Sequence, residues 1–397
     1  MIFFIIKFNF KFYFCNILNK KKVYGKIVLD FQICRNEEVL GMDLLTVAEP
    51  PAVESYDVIV IGAGISGLGA AEVLRKAGVN YVVLEGQNRI GGRINTIEMM
   101  NLRNNAENKI NIDAGAQWLH GKNNELFKIA NNFNLIRPEE SSEGEGDYIR
   151  DDGLKFDEYF VKKVDFKIGQ IMEECEEFAS QKNVEGIEFP ESLEDFLIDK
   201  FQTFIDDLEN DTERCQAKQI LDWHKRFQII DNSCSSLKEI SAKDWGNYSF
   251  NGESCQTHIN VFGGMEKVVD CLGKVHLERI SLNKFVDLIY WKSEENQKSH
   301  EIMIECQDGT SYSTKYLICT LPLGVLKDNH QTLFVPPLPK YQQDAIDAIG
   351  YGTINKIFLH FDEKWWDEEW QGLQLIWQDE LNDVSLRSES LMCFLTK

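Results

Sequence analysis

Three glycines and one glutamate have the types and spacing that binding of a dinucleotide requires. The segment GAGISG contains Gly62, Gly64 and Gly67. Gly62 permits a tight turn, Gly64 lets a pyrophosphate approach the backbone, and Gly67 lets a helix pack closely on a strand. Glu85 follows by about 20 residues, a spacing at which a carboxylate accepts hydrogen bonds from both hydroxyls of a ribose. Ser66, in the same turn, belongs to the same candidate site.

A strand, a turn and a helix must position these residues, and the sequence predicts all three. The run YDVIVI, residues 56–61, is short, apolar and β-branched, as is typical of a buried strand. The helical pattern LGAAEVLRKAG follows the glycines and stops at Gly78. A second predicted strand, residues 81–84, ends directly before Glu85. Because the helix N-terminus offers unpaired N–H groups to a phosphate, the unit predicts a dinucleotide site that NAD and FAD both fit.

The loop after Glu85 distinguishes between these cofactors. It reads GQNRIGGRI, in which Gly91 and Gly92 allow close approach of the backbone and Arg93 can pair with phosphate or cover a ring system. The loop resembles the R-x-G-G-R signature of FAD enzymes of the glutathione-reductase type, in particular the flavin-containing amine oxidases. The alternative is a glycine-rich loop with a surface arginine. The resemblance implies FAD and an α/β fold, in which a Rossmann-like FAD-binding domain carries an inserted α+β substrate-binding domain.

Five further segments are similar to the same family, in the family's order. They are IDAGAQWLHG at 112–121, VFGGMEKVVDCL at 261–272, SLNKFVDLIYW at 281–291, YLICTLPLGVLK at 316–327, and the stretch from LFVPPLP to EKWW at 333–366. The resemblance places Gly115 and Ala116 at the flavin ring, Val286 against the adenine, and Trp118 and His120 towards the substrate. Trp118 is also counted among the cofactor-binding residues, with a core aromatic as the alternative. A histidine at position 120 favours the animal-type spermine and acetylpolyamine oxidases.

Lys356 lies in the run NKIFLHF, whose alternation predicts a strand with Lys356, Phe358 and His360 on one face. By resemblance, this lysine hydrogen-bonds through water to flavin N5 and assists imine hydrolysis or reoxidation by oxygen. A lysine on an edge strand that reaches solvent is the alternative.

The resemblance therefore implies an FAD-dependent oxidase of polyamines such as spermine and N-acetylpolyamines. Hydride would pass from the carbon next to the amine nitrogen to flavin N5, the imine would be hydrolysed, and oxygen would be reduced to hydrogen peroxide. The expected partners are a small polyamine and molecular oxygen, with no nucleic acid, no membrane span and no metal, and the oligomeric state is left open. Three alternatives remain: an inactive fragment that binds nucleotide or polyamine, a monoamine oxidase, and a histone lysine demethylase of the same family.

The charge of the chain agrees with a cationic ligand. Lys and Arg number 42 against 64 Asp and Glu, which leaves a formal net charge of −22. Residues 139–214 alone hold 25 acids and 8 bases. Such a balance repels nucleic acid phosphates. The acidic stretch is either a solvated helical surface or a field that draws a polycation into the site.

The motifs divide the chain into two domains and an N-terminal extension. The predicted boundaries are 1–49 for the extension, 50–135 with 255–330 for the FAD-binding domain, and 136–254 with 331–397 for the substrate-binding domain. We expect the last to be incomplete, since the family's C-terminal glycine-containing segment has no counterpart after Gly372. Scattered cysteines and an apolar opening interrupted by Lys7 and Lys11 favour a cytoplasmic location, with the nucleus as a further option.

Overall fold

The computed structural model describes a large part of the chain as two compact units. The described residues are 53–100, 109–141, 146–180, 190–247, 258–291, 302–359, 366, 370, 372–378 and 393–394. Within them, the first unit comprises 53–141 and 258–349, and the second comprises 146–247 and 350–394. The predicted extension 1–49 and His360 lie outside the described residues.

The strands and helices of the described residues are as follows. The strands are β1 (Glu54–Ile61), β2 (Tyr81–Leu84), β3 (Thr96–Met100), β4 (Lys109–Asp113), β5 (Leu119–His120), β6 (Ile136–Ser141), β7 (Asp147–Arg150), β8 (His258–Val261), β9 (Ile280–Ser281), β10 (Val286–Tyr290), β11 (Ile302–Cys306), β12 (Ser311–Cys319), β13 (Phe334–Val335), β14 (Gly372–Ile376) and β15 (Cys393–Phe394). The helices are α1 (Ile65–Lys76), α2 (Glu125–Asn132), α3 (Glu158–Ser180), α4 (Leu193–Asp206), α5 (Asp211–Asp231), α6 (Glu266–Gly273), α7 (Leu323–Leu333) and α8 (Lys340–Ala348), with 3-10 turns at Leu237–Glu239, Ala242–Asn247 and Lys274–Arg279.

A seven-stranded sheet organises the first unit. Its order is β13-β10-β11-β12-β1-β2-β9, and β12, β1, β2 and β9 are parallel. The predicted strands β1 and β2 are confirmed, and all four residues of β2 are buried. β-Branched side chains such as Ile59 and Val60, both fully buried, suit a central strand that is covered on both faces. The fold is thus a mixed α/β structure with a parallel-strand sheet.

Parallel pairing brings four strand ends to one edge of this sheet. The last paired residues are Ile61 of β1, Leu84 of β2, Ser281 of β9 and Cys319 of β12. In sheets of this kind, ligands bind beyond the carboxyl ends of the strands. The predicted glycine turn and Glu85 follow two of these ends directly, so the fold places them at the expected edge.

A buried polar network holds the opposite end of β2. The hydroxyl of Tyr81 lies 2.7 Å from Nδ1 of His276, a residue that is fully buried, and Nε2 of His276 lies 3.4 Å from Glu72 on α1. Burial lowers the pKa of His276 and raises that of Tyr81. The hydrogen bond from Arg75 lowers the pKa of Glu72 to about 2. The phenol therefore donates to a neutral imidazole, which joins α1, β2 and the turn Lys274–Arg279.

A small three-stranded sheet, in the order β5-β8-β6, completes the part of the first unit that carries the site. Leu119 of β5 pairs with Ile259 of β8, and both are buried, with 3% and 1% of their surface exposed. The neighbouring pair, His120 and His258, points to the other face because strand side chains alternate. Strands β3 and β4 form a separate antiparallel pair.

The second unit has a helical core. In α4, Ser192 caps the helix by accepting a hydrogen bond from the N–H of Asp195 at 3.1 Å. Phe196 and Phe201 are buried and Phe204 is half-buried, so one apolar face of α4 packs into the core. Helices α3, α4 and α5 pack together, and β7, β14 and β15 form a three-stranded sheet. No helix in the described part of the chain combines the length and apolar character that crossing a membrane requires.

The structure corrects two expectations about the later part of the chain. Residues 331–349, predicted to share a domain with 136–254, belong instead to the first unit, because β13 pairs with β10 at the edge of the large sheet. The strand predicted around Lys356 is wrong over its described part, since residues 351–359 have no regular secondary structure. Alternation alone does not make a strand, which needs a neighbouring strand for its backbone hydrogen bonds.

Candidate functional site

The glycine turn after β1 has the tight geometry that its sequence predicts. Gly62 has a φ of +99°, a conformation that side chains rarely adopt. A Cβ on Gly67 would lie 1.8 Å from the carbonyl oxygen of Gly62, so only glycine lets α1 approach the strand this closely. Gly64 is the N-cap residue of α1 and has no side chain to accept hydrogen bonds from the first turn. Ser66 is exposed in that turn. The uncapped N–H groups suit an anionic group.

Glu85 lies directly after β2 and joins the turn to the next loop. Its Oε2 accepts a hydrogen bond from the N–H of Ala63 at 2.7 Å, and its Oε1 accepts one from Gln87 at 2.8 Å. The residue is 8% exposed. A carboxylate offers about four acceptor positions, so two backbone bonds leave capacity for the hydroxyls of a ribose. The contacts fix the orientation of the carboxylate before any ligand binds.

The second glycine loop packs against the first. The N–H of Gly91 donates to the carbonyl of Ala63 at 2.9 Å, and a Cβ on Gly92 would lie 3.3 Å from the Cα of Gly64. Both loop glycines have positive φ angles, +103° and +58°. The two glycine loops thus form one continuous backbone surface. Arg93 is exposed, and its guanidinium makes no hydrogen bond or ion pair with a described residue.

The segment that begins IDAGAQW continues this surface. The N–H of Ala116 donates to the carbonyl of Arg93 at 3.2 Å. A Cβ on Gly115 would lie 1.9 Å from the same carbonyl oxygen, so this position also requires glycine. Ala116 is exposed and Gly115 is half-buried. The structure therefore brings the predicted residues from all three loops together.

Val286 lies on a segment whose neighbouring residue is hydrogen-bonded to Glu85. It is the first residue of β10 and is 9% exposed, within the apolar cluster of the large sheet. Two residues earlier, the N–H of Lys284 donates to the carbonyl of Glu85 at 2.8 Å. The segment that carries Val286 therefore meets the carboxyl end of β2, where the ribose is expected. Contact with an adenine stays a prediction.

Trp118 and His120 lie on the small sheet, close in sequence to Ala116. Four residues of extended chain span at most about 14 Å, which bounds the separation between Ala116 and His120. His120 is exposed and its ring centroid is 5.0 Å from that of His258. The Trp118 ring centroid is 4.8 Å from that of His258. Sequence reasoning missed His258, because only the pairing of β5 with β8 brings it beside His120.

Lys356 belongs to the second unit, whereas the residues above all belong to the first. Its side chain is half-buried, and its neighbours Ile357, Phe358 and Leu359 are exposed at 63%, 42% and 41%. Its role beside the flavin therefore stays a prediction that rests on resemblance.

Three further residues support the site, and each was missed because its partner is distant in sequence or is backbone. Thr320, after β12, donates from Oγ1 to the carbonyls of Ile61 at 2.7 Å and Gly62 at 3.3 Å. Arg89 donates to three carbonyls of its own loop, at 2.7 to 3.2 Å. Asp113 accepts from the N–H of Met265 at 2.9 Å, at the start of α6. All three lie in segments that resemble the family, but the type and position of each residue do not specify which backbone group it binds.

Comparison with known proteins identifies the family. A family model described as flavin containing amine oxidoreductase matches residues 65–396. The chain belongs to this family. FAD is the cofactor that membership implies, and no group of three or more His, Cys, Asp or Glu in the described residues is arranged to hold a metal ion.

Several members of the flavin amine oxidoreductase family are similar to this chain. The peroxisomal N(1)-acetyl-spermine/spermidine oxidase of Bos taurus is 28% identical over 81% of this chain and 64% of its own length. Polyamine oxidase 4 of Oryza sativa subsp. japonica is 29% identical over 80% of this chain and 61% of its own. Lysine-specific histone demethylase 2 of Homo sapiens is 26% identical over 81% of this chain and 37% of its own. The chain thus spans less than two thirds of the length of these relatives.

A solved structure agrees on the fold. Wild-type putrescine oxidase bound to putrescine matches with a TM-score of 0.53 and 21% identity, over 74% of this chain and 64% of that chain.

The residues of the first unit fit an FAD. Gly62 and Gly67 let the turn and α1 pack closely, no side chain covers the start of α1 at Gly64, and the first turn of α1 has no acidic residue that would repel a diphosphate. Glu85 is fixed at the strand end, where it would hold the ribose. Gly115 and Ala116, hydrogen-bonded to the second loop, would lie along the ring system.

Proposed function

We propose that the protein is an FAD-dependent oxidase of polyamines, with spermine and N-acetylpolyamines as its substrates. The observation that carries this proposal is that one hydrogen-bonded stretch of the first unit leads from the glycine loops to β5, the strand that contains His120. Backbone hydrogen bonds join Gly91 to Ala63 and Ala116 to Arg93, and four residues later His120 is paired with His258. A group that can bind an amine thus follows directly on the residues that would hold the cofactor.

The chemistry divides between cofactor and protein. FAD, when bound, supplies the acceptor for a hydride from the carbon next to the amine nitrogen, and oxygen finally takes the electrons to give hydrogen peroxide. The chain binds the cofactor through its glycine loops and Glu85. His120 would accept a hydrogen bond from an N–H of the substrate and hold the amine in place. Lys356 is proposed to orient the water that hydrolyses the imine product to an aldehyde and an amine.

Charge supports a polycationic substrate. Exposed carboxylates occur along the second unit, on α3 and α4 and between the helices, including Glu173, Glu176, Asp206, Asp207 and Glu209. Others are neutralised, as in the ion pair of Lys225 with Glu194 at 2.6 Å. Most of these carboxylates therefore face solvent, and their combined electrostatic field would also attract a ligand with several ammonium groups. Such attraction weakens with salt, so kcat/KM for spermine should fall as ionic strength rises.

The relatives support the same substrate class. The bovine protein is named for acetylated spermine and spermidine, and the rice protein for polyamines. The domain assignment follows: the first unit would be the FAD-binding domain of the glutathione-reductase type, and the second the substrate-binding domain inserted into it.

A peroxide assay tests the proposal. The protein is loaded with FAD and mixed with spermine, N1-acetylspermine or a monoamine such as benzylamine, and hydrogen peroxide is followed with a peroxidase-coupled dye. We expect peroxide from the polyamines and little from the monoamine. Binding of FAD and spermine without peroxide would instead identify a non-catalytic ligand-binding fragment.

Histone lysine demethylation is the second candidate, and one observation favours it. The human demethylase is similar to this chain over the same 81% and at almost the same identity as the bovine polyamine oxidase. A histone tail is cationic as well, so charge does not separate the two. A methylated lysine peptide in the peroxide assay does, since we expect release of peroxide with spermine and none with the peptide.

A further inference from the structure

An exposed aromatic ring stands beside the carboxylate that would hold the ribose. Phe285, the residue before β10, is 48% exposed, whereas its neighbour Val286 is buried in the large sheet. Residues 86–88, which follow Glu85, are exposed as well. The surface next to this carboxylate therefore includes open backbone and a phenyl ring in contact with solvent.

The ring of Phe285 packs along the backbone of Gly86. A Cβ on Gly86 would lie 3.3 Å from Cδ2 of Phe285 and 3.7 Å from its Cα. At 3.3 Å the two atoms would be closer than ordinary van der Waals contact, so a side chain at position 86 would push the ring away. Gly86 directly follows Glu85, and consecutive Cα atoms are about 3.8 Å apart. The ring thus adjoins the residue that carries the carboxylate.

Hydrogen bonds on two sides hold the backbone of this segment in place. The N–H of Lys284 donates to the carbonyl of Glu85 at 2.8 Å. The N–H of Gln307 donates to the carbonyl of Phe285 at 2.9 Å. The fold therefore sets the position of the Phe285 backbone relative to Glu85 before any ligand binds.

The two oxygens of the Glu85 carboxylate indicate on which side of a ribose the base would lie. Oε2 accepts its hydrogen bond from Ala63 in the glycine turn, and Oε1 accepts one from Gln87, beyond Gly86. In a nucleotide, the phosphates and the base are attached at opposite ends of the ribose, and the two ribose hydroxyls lie between them. With the diphosphate at the glycine turn, the base would extend towards Gly86 and the ring of Phe285.

We propose that Phe285 is a cofactor-binding residue, on whose exposed ring the adenine of FAD stacks. This inference rests on the proposed function through the cofactor and deepens it by adding a contact to the base. Stacking of a base on an aromatic side chain raises affinity by about fivefold to a hundredfold. The stacked base would also remove part of the phenyl surface from water.

Two substitutions of Phe285 and one matched control test this role. Phe285→Ala removes the ring, whereas Phe285→Trp keeps an aromatic face. The control is Phe133→Ala, which removes a phenyl of 58% exposure at the end of α2 in the same unit. The full chain is titrated with FAD, and the Kd is determined from quenching of flavin fluorescence. We expect the Kd to rise about tenfold in Phe285→Ala and to change little in the other two variants.

A comparison of two nucleotides identifies the contact with the base. ADP and UDP share the ribose hydroxyls and the diphosphate, and the purine of ADP offers the larger ring surface for stacking. Calorimetric titration should show tighter binding of ADP than of UDP by the wild type and by Phe133→Ala. This preference should shrink in Phe285→Ala. A disturbance of the fold alone would weaken both nucleotides equally and leave the preference unchanged.

The outcomes distinguish this inference from the proposed function. A wild type that binds FAD and releases peroxide with spermine, together with an unchanged Kd for FAD in Phe285→Ala, would overturn the stacking role and leave the function standing. An equal loss of affinity in Phe133→Ala, or a preference for ADP that Phe285→Ala does not alter, would also overturn it. Weaker FAD binding and a smaller preference for ADP in Phe285→Ala, without peroxide from the wild type, would support the contact and refute the oxidase. A wild type that binds no FAD would refute both.

Discussion

Alanine at Gly67 and alanine at Gly69 should have opposite effects, although both lie in α1 and are two residues apart. A Cβ on Gly67 would meet the carbonyl oxygen of Gly62 at 1.8 Å, about 1.2 Å inside the closest approach of 3.0 Å that real Cβ atoms keep. Both partners are backbone, so α1 itself must move away from β1. Overpacking of this kind costs about 1–3 kcal/mol or more. A Cβ on Gly69 meets no atom within 4 Å. Gly69→Ala should therefore stabilise the helix by about 0.5–1 kcal/mol.

Denaturant unfolding and FAD binding measure both consequences. The unfolding transition that FAD shifts upwards belongs to the unit that binds it, since ligand binding stabilises only the folded form. Its midpoint should fall in Gly67→Ala and rise in Gly69→Ala. Because the displaced helix carries the N–H groups proposed for the diphosphate, Gly67→Ala should also weaken FAD binding, whereas Gly69→Ala should not. Equal FAD affinity in the two variants, or midpoints that shift in the same direction, would refute this reasoning.

Three other changes test the first unit. Glu85→Gln should weaken FAD binding about tenfold, because it removes the charged carboxylate that would accept hydrogen bonds from the ribose hydroxyls. Glu72→Gln, at the far end of α1, should leave FAD binding unchanged. Quenching of flavin fluorescence measures both affinities. Thr320→Val loses the hydroxyl that holds the glycine turn and should cost about 1 kcal/mol in urea unfolding, whereas Thr320→Ser should cost less; equal losses would exclude that role. Burial lowers the pKa of His276 in the folded protein. Below about pH 6.5, the imidazole of His276 is therefore protonated in the unfolded chain before it is protonated in the folded one. Stability of this unit should fall as pH drops through that range, and the slope should decrease in His276→Gln; an unchanged slope would contradict it.

Local patterns predicted the strands, the glycine turn and the first helix of the first unit. These elements are adjacent in sequence, so short-range rules were sufficient. They are the run 56–61, the glycines at 62, 64 and 67, and the helix that ends before Gly78. In these places secondary structure, packing and chemistry all depend on neighbouring residues.

Residues that act across long sequence separations could not be found in this way. Thr320 meets Gly62 from 258 residues away, and His258 meets His120 only because β5 and β8 pair. The strand expected around Lys356 failed for a related reason. Its alternation describes which faces a strand would have, whereas its formation depends on a partner strand that the segment itself does not contain.

FAD binding by the first unit is the property on which the proposed activity depends most directly. The measurement is a titration of the protein with FAD, followed by desalting and a visible absorption spectrum, with Gly67→Ala as the comparison. We expect saturable binding of one FAD per chain, a yellow protein after desalting, and loss of the colour in the variant. A colourless wild-type protein with no saturable binding would contradict the central claim.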